Sequence, residues 1–395
     1  MPRYAYVAQT NTGRTIKGVL EAPNEREARA VLARRGLISR SITPALTLLP
    51  PRPPNKRALA AFAIQLGSML AGSVPLQDAL EALAPSFRGE LREAIYDLTA
   101  AVRSGTPLSQ AMERRKRIFG DLLVGLAAAG EASGNQAEFL KSAGQYLKWA
   151  HITASKIRSA LAYPAFTLAI ALLVAYGLMV YIVPQFGEML RETGTTLPLL
   201  TVIMLTLSDL ASRYALVVLI LLGVGLYFFN RWRLGPGKPT FDAAVLKLPL
   251  VGHLLQAQIL AQLARLWALM DRSQIELLKV LEKLEGAVGN HVYQVALRDI
   301  RESVRQGTAI DDAFLRYEEL FTPMLIAYIK TGATSSRLHD NLSSAAEFYE
   351  EDLNSGVETL RSSLEPVLLV FIGGIVLVIL LSVLLPYFRL AMALT

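Results

Sequence analysis

Two uncharged runs constrain this chain more than anything else in it: "YPAFTLAIALLVAYGLMVYIV" at 163–183 and "PVLLVFIGGIVLVILLSVLLPYF" at 366–388. At ~1.5 Å rise per residue the shorter run reaches about 31 Å, close to the ~30 Å of a bilayer's hydrocarbon core. Both therefore read as membrane-spanning helices. Their leading prolines, Pro164 and Pro366, stand 202 residues apart, and the same offset matches much more of the chain to itself without a gap. Gly105-Thr106 falls on Gly307-Thr308, Phe119 on Phe321, Gly130 on Gly332 and Phe186 on Phe388. The duplicated unit is a polar, helix-patterned segment followed by one span.

If both polar segments lie on one side, the chain must cross back between the copies. Only 213–232 can do so. Its apolar stretch, "YALVVLILLGVGLYFF" at 214–229, is short; it suffices if Arg213 snorkels and Tyr227 and Trp232 sit in the interface. A buried core helix is the other reading. "LPLLTVIMLTLSDL" (197–210) is too interrupted to cross and is expected to lie along the membrane surface. Lys156, Arg158, Arg231, Arg233, Lys238 and Arg361 flank one side of the spans, while 185–212 carries Glu188, Glu192 and Asp209 against Arg191. The positive-inside rule puts both bundles in the cytoplasm and that loop outside.

Between these landmarks the pattern is helical. Leu59, Phe62, Leu66, Met69 and Leu70 share one helix face. At "RSGTPL", Gly105 is expected to close one helix, Thr106 to cap the next and Pro107 to occupy its first turn. Residues 1–43 read instead as a small α/β unit, with strands at "YAYVA", "IKGVL" and "LISRSI" and a turn at Asn11-Thr12-Gly13. Asn24 and Glu27 form a capping pair for its helix, which Gly36 can end. The five prolines of "PALTLLPPRPPNK" (44–56) predict a semi-rigid tether that leaves this unit free to move.

The expected fold is a mainly α, polytopic membrane protein with two duplicated antiparallel helical bundles, three transmembrane helices and a small N-terminal α/β unit. Its parts are the α/β unit at 1–43, a linker at 44–57, the first bundle at 58–160 and a span at 161–186. A periplasmic loop at 187–212 and a span at 213–232 follow. The second bundle at 233–362, a span at 363–388 and a short tail at 389–395 complete the chain.

Catalytic chemistry is hard to find. The chain has no cysteine, so disulfides, thiolate metal sites and cysteine nucleophiles are excluded together. "GPGKPT" (235–240) lacks the upstream glycine of a phosphate loop, and Pro239 replaces its Ser/Thr. His151, His253, His291 and His339 are scattered, with no metal-ligand spacing. No cofactor or metal is expected, and no ionisable side chain interrupts the first or third span as a transporter would need. A transporter or channel formed by oligomerised repeats is the competing reading; a lipid-acting enzyme lacks a nucleophile–base pair. Charged residues are only 18% of the chain, so the net charge of +7 is assigned to membrane topology rather than nucleic acid.

Three groups of residues are candidates for structural or partner contacts. In "GEASGN", Gly130 is expected to end a helix and Ser133 to cap the next, as Gly332 and Ser335 would in the second copy. Glu131 and Gly134 are replaced there, by Ala333 and Ser336, which suggests that the fold does without them. Where the chain enters the membrane, Pro164, Glu365 and Pro366 are candidate subunit contacts; Glu365 reads equally as an acid at a helix N-terminus. Finally, Arg114, Arg115, Lys116 and Arg117 align with Arg316, Tyr317, Glu318 and Glu319. A basic surface opposite an acidic one suggests that the two meet each other or a partner.

The architecture, together with "GEASGN", "ALAYPAF", "IVPQF", "TGTTLPLLT", "LKLPLVG" and "FYEEDLNSGVETLRSSLEP", resembles the GspF/PilC family of inner-membrane platform proteins of type II secretion and type IV pilus systems. The resemblance covers essentially the whole chain. It implies a non-enzymatic bacterial inner-membrane protein that couples a hexameric cytoplasmic ATPase to the extraction and polymerisation of pilin or pseudopilin subunits. It also implies homo-oligomers and contacts with other inner-membrane assembly proteins. The family's Gly-Glu-x-Ser-Gly pattern is intact at Gly130–Gly134 but reduced to "GATSSR" in the second copy. Likewise "GSVPLQDAL" (72–80) becomes "RSQIELLKVL" (272–281), so the two bundles need not make equivalent contacts.

Overall fold

The computed structural model describes residues 3–10, 15–34, 37–44, 55–186, 199–272 and 275–393. The Asn11–Gly13 turn, Gly36, most of the proline tether and the first part of the 187–212 loop lie outside them. Contacts divide the chain into two compact units: Met1–Ala154, Leu260–Gly289 and Gln294–Glu347 in one, Ser155–Ile259, Asn290–Tyr293 and Phe348–Thr395 in the other.

In the first unit, β1 (Arg3–Thr10) is the centre of an antiparallel sheet, paired with β2 (Thr15–Glu21) and β3 (Leu37–Pro44). Tyr6 lies opposite Gly18 on one side and Ile42 on the other. Helix α1 (Glu25–Arg34) starts where Asn24 Oδ1 accepts the Glu27 N–H at 2.8 Å, and Ala28 and Leu32 are fully buried. This small domain does not swing free of the first bundle. The Tyr6 hydroxyl donates to the buried Glu93 carboxylate, and Tyr6, Ala8 and Leu32 belong to the same core as the bundle's Phe62 and Leu66. A sheet this small cannot bury a face by itself, so it shares a core.

The first bundle comprises α2 (Lys56–Ala71), α3 (Leu76–Leu83), α4 (Gly89–Arg103), α5 (Leu108–Glu113), α6 (Lys116–Ser133) and the start of α7 (Gln136–Gly177). Phe62 packs on Phe87 and Phe119, with ring centroids 5.9 Å apart in each pair. At the α4–α5 turn Pro107, not Thr106, is the N-cap. The Thr106 N–H instead turns back to the Ala101 carbonyl at 3.0 Å, and the second copy repeats this bond from Thr308 to Ser303 at 3.0 Å.

The second copy runs through α10 (Val251–Arg272), α11 (Leu277–Ala287), α12 (His291–Arg305), α13 (Ile310–Leu315), α14 (Pro323–Ser335) and α15 (Leu338–Ala393). Trp267 stacks on Phe314, and Phe321 meets Phe314 edge-on, through its centre. Within the first unit the copies touch along α7 and α10: Arg265 lies 5.1 Å over the Trp149 ring, and Arg272 pairs with Glu138.

Among the described residues three helices are long and apolar enough to cross a membrane, Gln136–Phe186, Leu199–Val217 and Leu338–Leu385, or four if the bent pair Lys238–Leu246 and Val251–Arg272 counts as one span. The first is α7 prolonged by a π-turn at Leu178–Ile182. The second begins α8 (Leu199–Leu234), a single helix of 36 residues, about 54 Å long at ~1.5 Å per residue. From Leu199 on, the segment expected as a loop reaching 212 is helical instead. Residues 199–212 are the first part of α8, and Asp209 and Arg213 pair across one turn at 3.2 Å. The expected tail is also helical, since α15 runs on to Ala393. A short helix, α9 (Lys238–Leu246), links α8 to α10.

Candidate functional site: the helix junctions and the membrane packing layer

The "GEASGN" junction is a three-helix clip. Glu131, on α6, accepts the Ser109 N–H at 3.1 Å with Oε1 and the Ser109 hydroxyl with Oε2. Gln136, opening α7, donates to the same Oε1 at 3.1 Å. Ser109 is the second residue of α5, whose Pro107 N-cap has no side-chain bond of its own. A carboxylate from the next helix therefore fills the vacant cap and opposes the α5 dipole.

The neighbouring assignments change accordingly. Gly130 does not end α6 but lies buried within it; a Cβ there would stand 2.8 Å from Gln136 Cα and 3.2 Å from the Phe139 side chain. Gly332 repeats this, 2.8 Å from Leu338 Cα. The two glycines are kept because α7 and α15 leave no room for a side chain as they turn back over α6 and α14. Ser133 and Ser335 do not cap the following helix, since their hydroxyls return to Ala129 and Thr331 carbonyls at 2.9 and 2.6 Å. Gly134 is the true C-cap, at φ 72°, and Ser336 holds the same left-handed conformation at φ 54°.

The missing glutamate in the second copy is answered by a shifted charge. Ser109 aligns with Asp311, which sits in the first turn of α13 and faces Lys330 of α14 at 3.5 Å. The acid that serves this helix start comes from the next helix in one copy and from the helix itself in the other. Sequence comparison of the copies could have found it as a Ser→Asp change paired with a Glu→Ala change.

Three of the four residues of the basic run find partners in their own bundle. Arg115 pairs with Asp97 at 2.6 Å, Lys116 with Glu113 at 3.3 Å and Asp121 at 2.6 Å, and Arg117 with Glu90 at 3.0 Å. The two flanking acids, Asp121 foremost, hold the Lys116 ammonium pKa above its ordinary value. In the second copy Tyr317 takes the place of Arg115 and donates to Asp299, the counterpart of Asp97, at 2.9 Å. Arg316 reaches Ser303 at 3.2 Å and Glu318 is exposed. Arg115 and Arg117 are thus matched to α4, and Arg316 and Tyr317 to α12.

Pro164 and Pro366 both lie inside unbroken helices, α7 and α15. Glu365 is exposed in the middle of α15, so its reading as an acid at a helix start is corrected: no helix begins there. The "GPGKPT" stretch forms the turn after α8 and the first residues of the short helix at Lys238–Leu246. Among the described residues no three His, Cys, Asp or Glu side chains are grouped to hold a metal.

Sequence reasoning missed the layer where the three membrane helices meet. Val183, Met204 and Ile379 are buried together. Around them the Thr201 hydroxyl donates to the Ser382 carbonyl at 2.8 Å, and Ser208 to the Met179 carbonyl at 2.6 Å. Met179 lies in the π-turn, where the slipped register costs a carbonyl its usual helical partner. Small hydroxyls between apolar residues give no distinctive sequence signal.

A helical bundle duplicated in tandem, each copy running into its own membrane helix and the first bearing a small sheet domain, defines a polytopic, internally repeated membrane protein. The family model "Type II secretion system (T2SS), protein F" matches residues 62–184 and again 263–386, and the one for that protein's N-terminal domain matches 1–43. The chain belongs to this family. It is 32% identical over 404 residues to the type IV pilus assembly protein PilC of Thermus thermophilus, covering 98% of each chain. It is 31% identical over 335 residues to TapC, a type IV pilus assembly protein of Aeromonas hydrophila, with 84% and 81% covered. The type II secretion system protein F of Pseudomonas aeruginosa is 28% identical, with 98% of each covered.

Proposed function

We propose that this protein is an inner-membrane assembly platform of a type IV pilus or type II secretion machine. In this reading it couples a hexameric cytoplasmic ATPase to the extraction and polymerisation of pilin or pseudopilin subunits. The names of its relatives support the pilus or secretion setting. The observation that carries the coupling is the continuity of α7 and α15. Phe139 and Leu140 of α7, and Leu342 of α15, are buried in the bundles, and the same helices continue to Gly177 and Ala393 without a break. A helix rooted in a bundle core and extended through lipid passes a push on the bundle to its membrane segment. Lys156, Arg158, Arg231, Arg233 and Arg361 beside the spans support a cytoplasmic placement of both bundles. The platform acts without chemistry of its own, and its site residues are contacts rather than catalysts.

The test uses the full chain in lipid nanodiscs with the assembly ATPase of the same organism. The ATPase should bind and change its hydrolysis rate, while the platform hydrolyses no ATP alone, and pilin membrane segments should crosslink to α7 or α15. Solute flux in liposomes with no ATPase binding would replace this reading with a transporter.

A further inference from the structure

The elbow that leaves α8 is strongly cationic. Between Asn230 and Gly252 the chain carries Arg231, Arg233, Lys238 and Lys247 against one acid, Asp242. That acid is committed elsewhere, its Oδ2 accepting the His291 N–H at 2.7 Å. Among the described residues no carboxylate pairs with any of the four cations. Arg233 lies 5.2 Å over the Phe241 ring, and Phe229 meets both Trp232 and Phe241, so aromatic contacts fix α9 against the end of α8. Gly237 is pressed onto the Trp232 ring so closely that a Cβ would collide with it. Arg231 also lines an open hollow with Tyr227, Asn230 and Leu234.

Immediately beyond, α9 and α10 turn by 104°, and the turn exposes Leu248 (51%), Leu250 (44%) and Val251 (39%). Apolar side chains near cations that no described carboxylate neutralises, at the exit of a membrane helix, match a leaflet surface: acyl chains for the leucines, headgroups for the cations. We propose that this elbow, residues 231–251, seats in the lipid interface and selects lipids of net negative headgroup, with Arg231, Arg233, Lys238 and Lys247 as the binding residues.

Trp232 is the built-in reporter, because Trp149 and Trp267 are buried among the bundle helices. The full-length protein is reconstituted in vesicles of phosphatidylcholine and phosphatidylglycerol, with bromine on the acyl chains of one or the other. Brominated phosphatidylglycerol should quench Trp232 with about five-fold greater apparent affinity at low salt, and molar salt should shrink the preference. The R231Q/R233Q/K238Q/K247Q variant should show none. Equal quenching by both lipids in the unmodified protein overturns the proposal. So does a preference that ignores salt, one that survives in the variant, or quenching that survives W232F. Because the comparison within the unmodified protein is decisive alone, a variant that fails to fold does not remove the test.

Discussion

Glu131 accepts the backbone N–H of Ser109 at 3.1 Å, so one helix of the first bundle supplies the cap of another. Glu131→Ala leaves that N–H, the Ser109 hydroxyl and the Gln136 amide without this acceptor. It should lower stability by about 1–2 kcal/mol, the range of a lost cap or charge-assisted bond at a half-exposed site. Thermal unfolding of the purified protein in detergent reads the effect. Ala333→Glu in the second copy should bring no gain, since Asp311 already holds that position. Combined with Asp311→Ser it should recover the arrangement of the first copy. A stabilising Ala333→Glu single variant would disprove the shifted-acid explanation.

Gly130 and Gly332 test the packing account. Alanine at either must push into backbone atoms 2.8 Å away and should cost about 1–3 kcal/mol, as overpacking does. Gly125 lies in the same helix as Gly130 with open space around its Cβ position. There alanine should stabilise by about 0.5–1 kcal/mol through helix propensity. Melting temperatures of the three single variants should therefore move in opposite directions.

Tyr293 gives a pH signature. Burial, followed by the nearby Tyr349, raises its pKa, while a hydrogen bond with Gln256 partly opposes the shift. The unfolded chain ionises this phenol near pH ~10 while the folded chain keeps it neutral, so above that pH the unfolded state binds fewer protons. The contribution is intact below pH ~10 and falls as pH rises, by at most about 1.4 kcal/mol per unit. Tyr293→Phe should be less stable than the unmodified protein at pH 8, and the gap should narrow by pH 11. A gap that stays constant across that range would refute the assignment.

In the membrane layer, Ser208→Ala strips the Met179 carbonyl of its partner from α8. Interhelical hydroxyl bonds in lipid average only about 0.6 kcal/mol, so the single change should be mild. Adding Thr201→Val removes the Ser382 contact as well, and the double variant should lower the melting temperature in detergent by more than either single change. Cysteine pairs at 183 and 204 should then crosslink less completely.

The parts legible in the sequence are those with local signals. Charge-free runs long enough to cross lipid have few alternatives, and the shared offset of the prolines and glycines exposes the duplication. The length of α8 is hidden because the stretch up to Asp209 reads as interrupted, whereas Asp209 and Arg213, one turn apart, neutralise each other and let the helix pass. Gly130 is visibly structural, yet its packing is not visible, because its neighbour across the junction, Gln136, is defined only once α7 folds back. Glu131 is harder still, because its partner lies 22 residues upstream on a helix too short to show periodicity.

Between Leu219 and Leu226, α8 exposes side chains at every phase of its turn, including Leu219 (72%), Leu222 (61%) and Leu226 (66%). Among the described residues no side chain interlocks with them, and an apolar environment asks only that they be oily. Leucine, isoleucine, valine and phenylalanine are interchangeable there, so this stretch can drift under mutation while the clip at Glu131 cannot. It is the part of α8 whose spelling matters least.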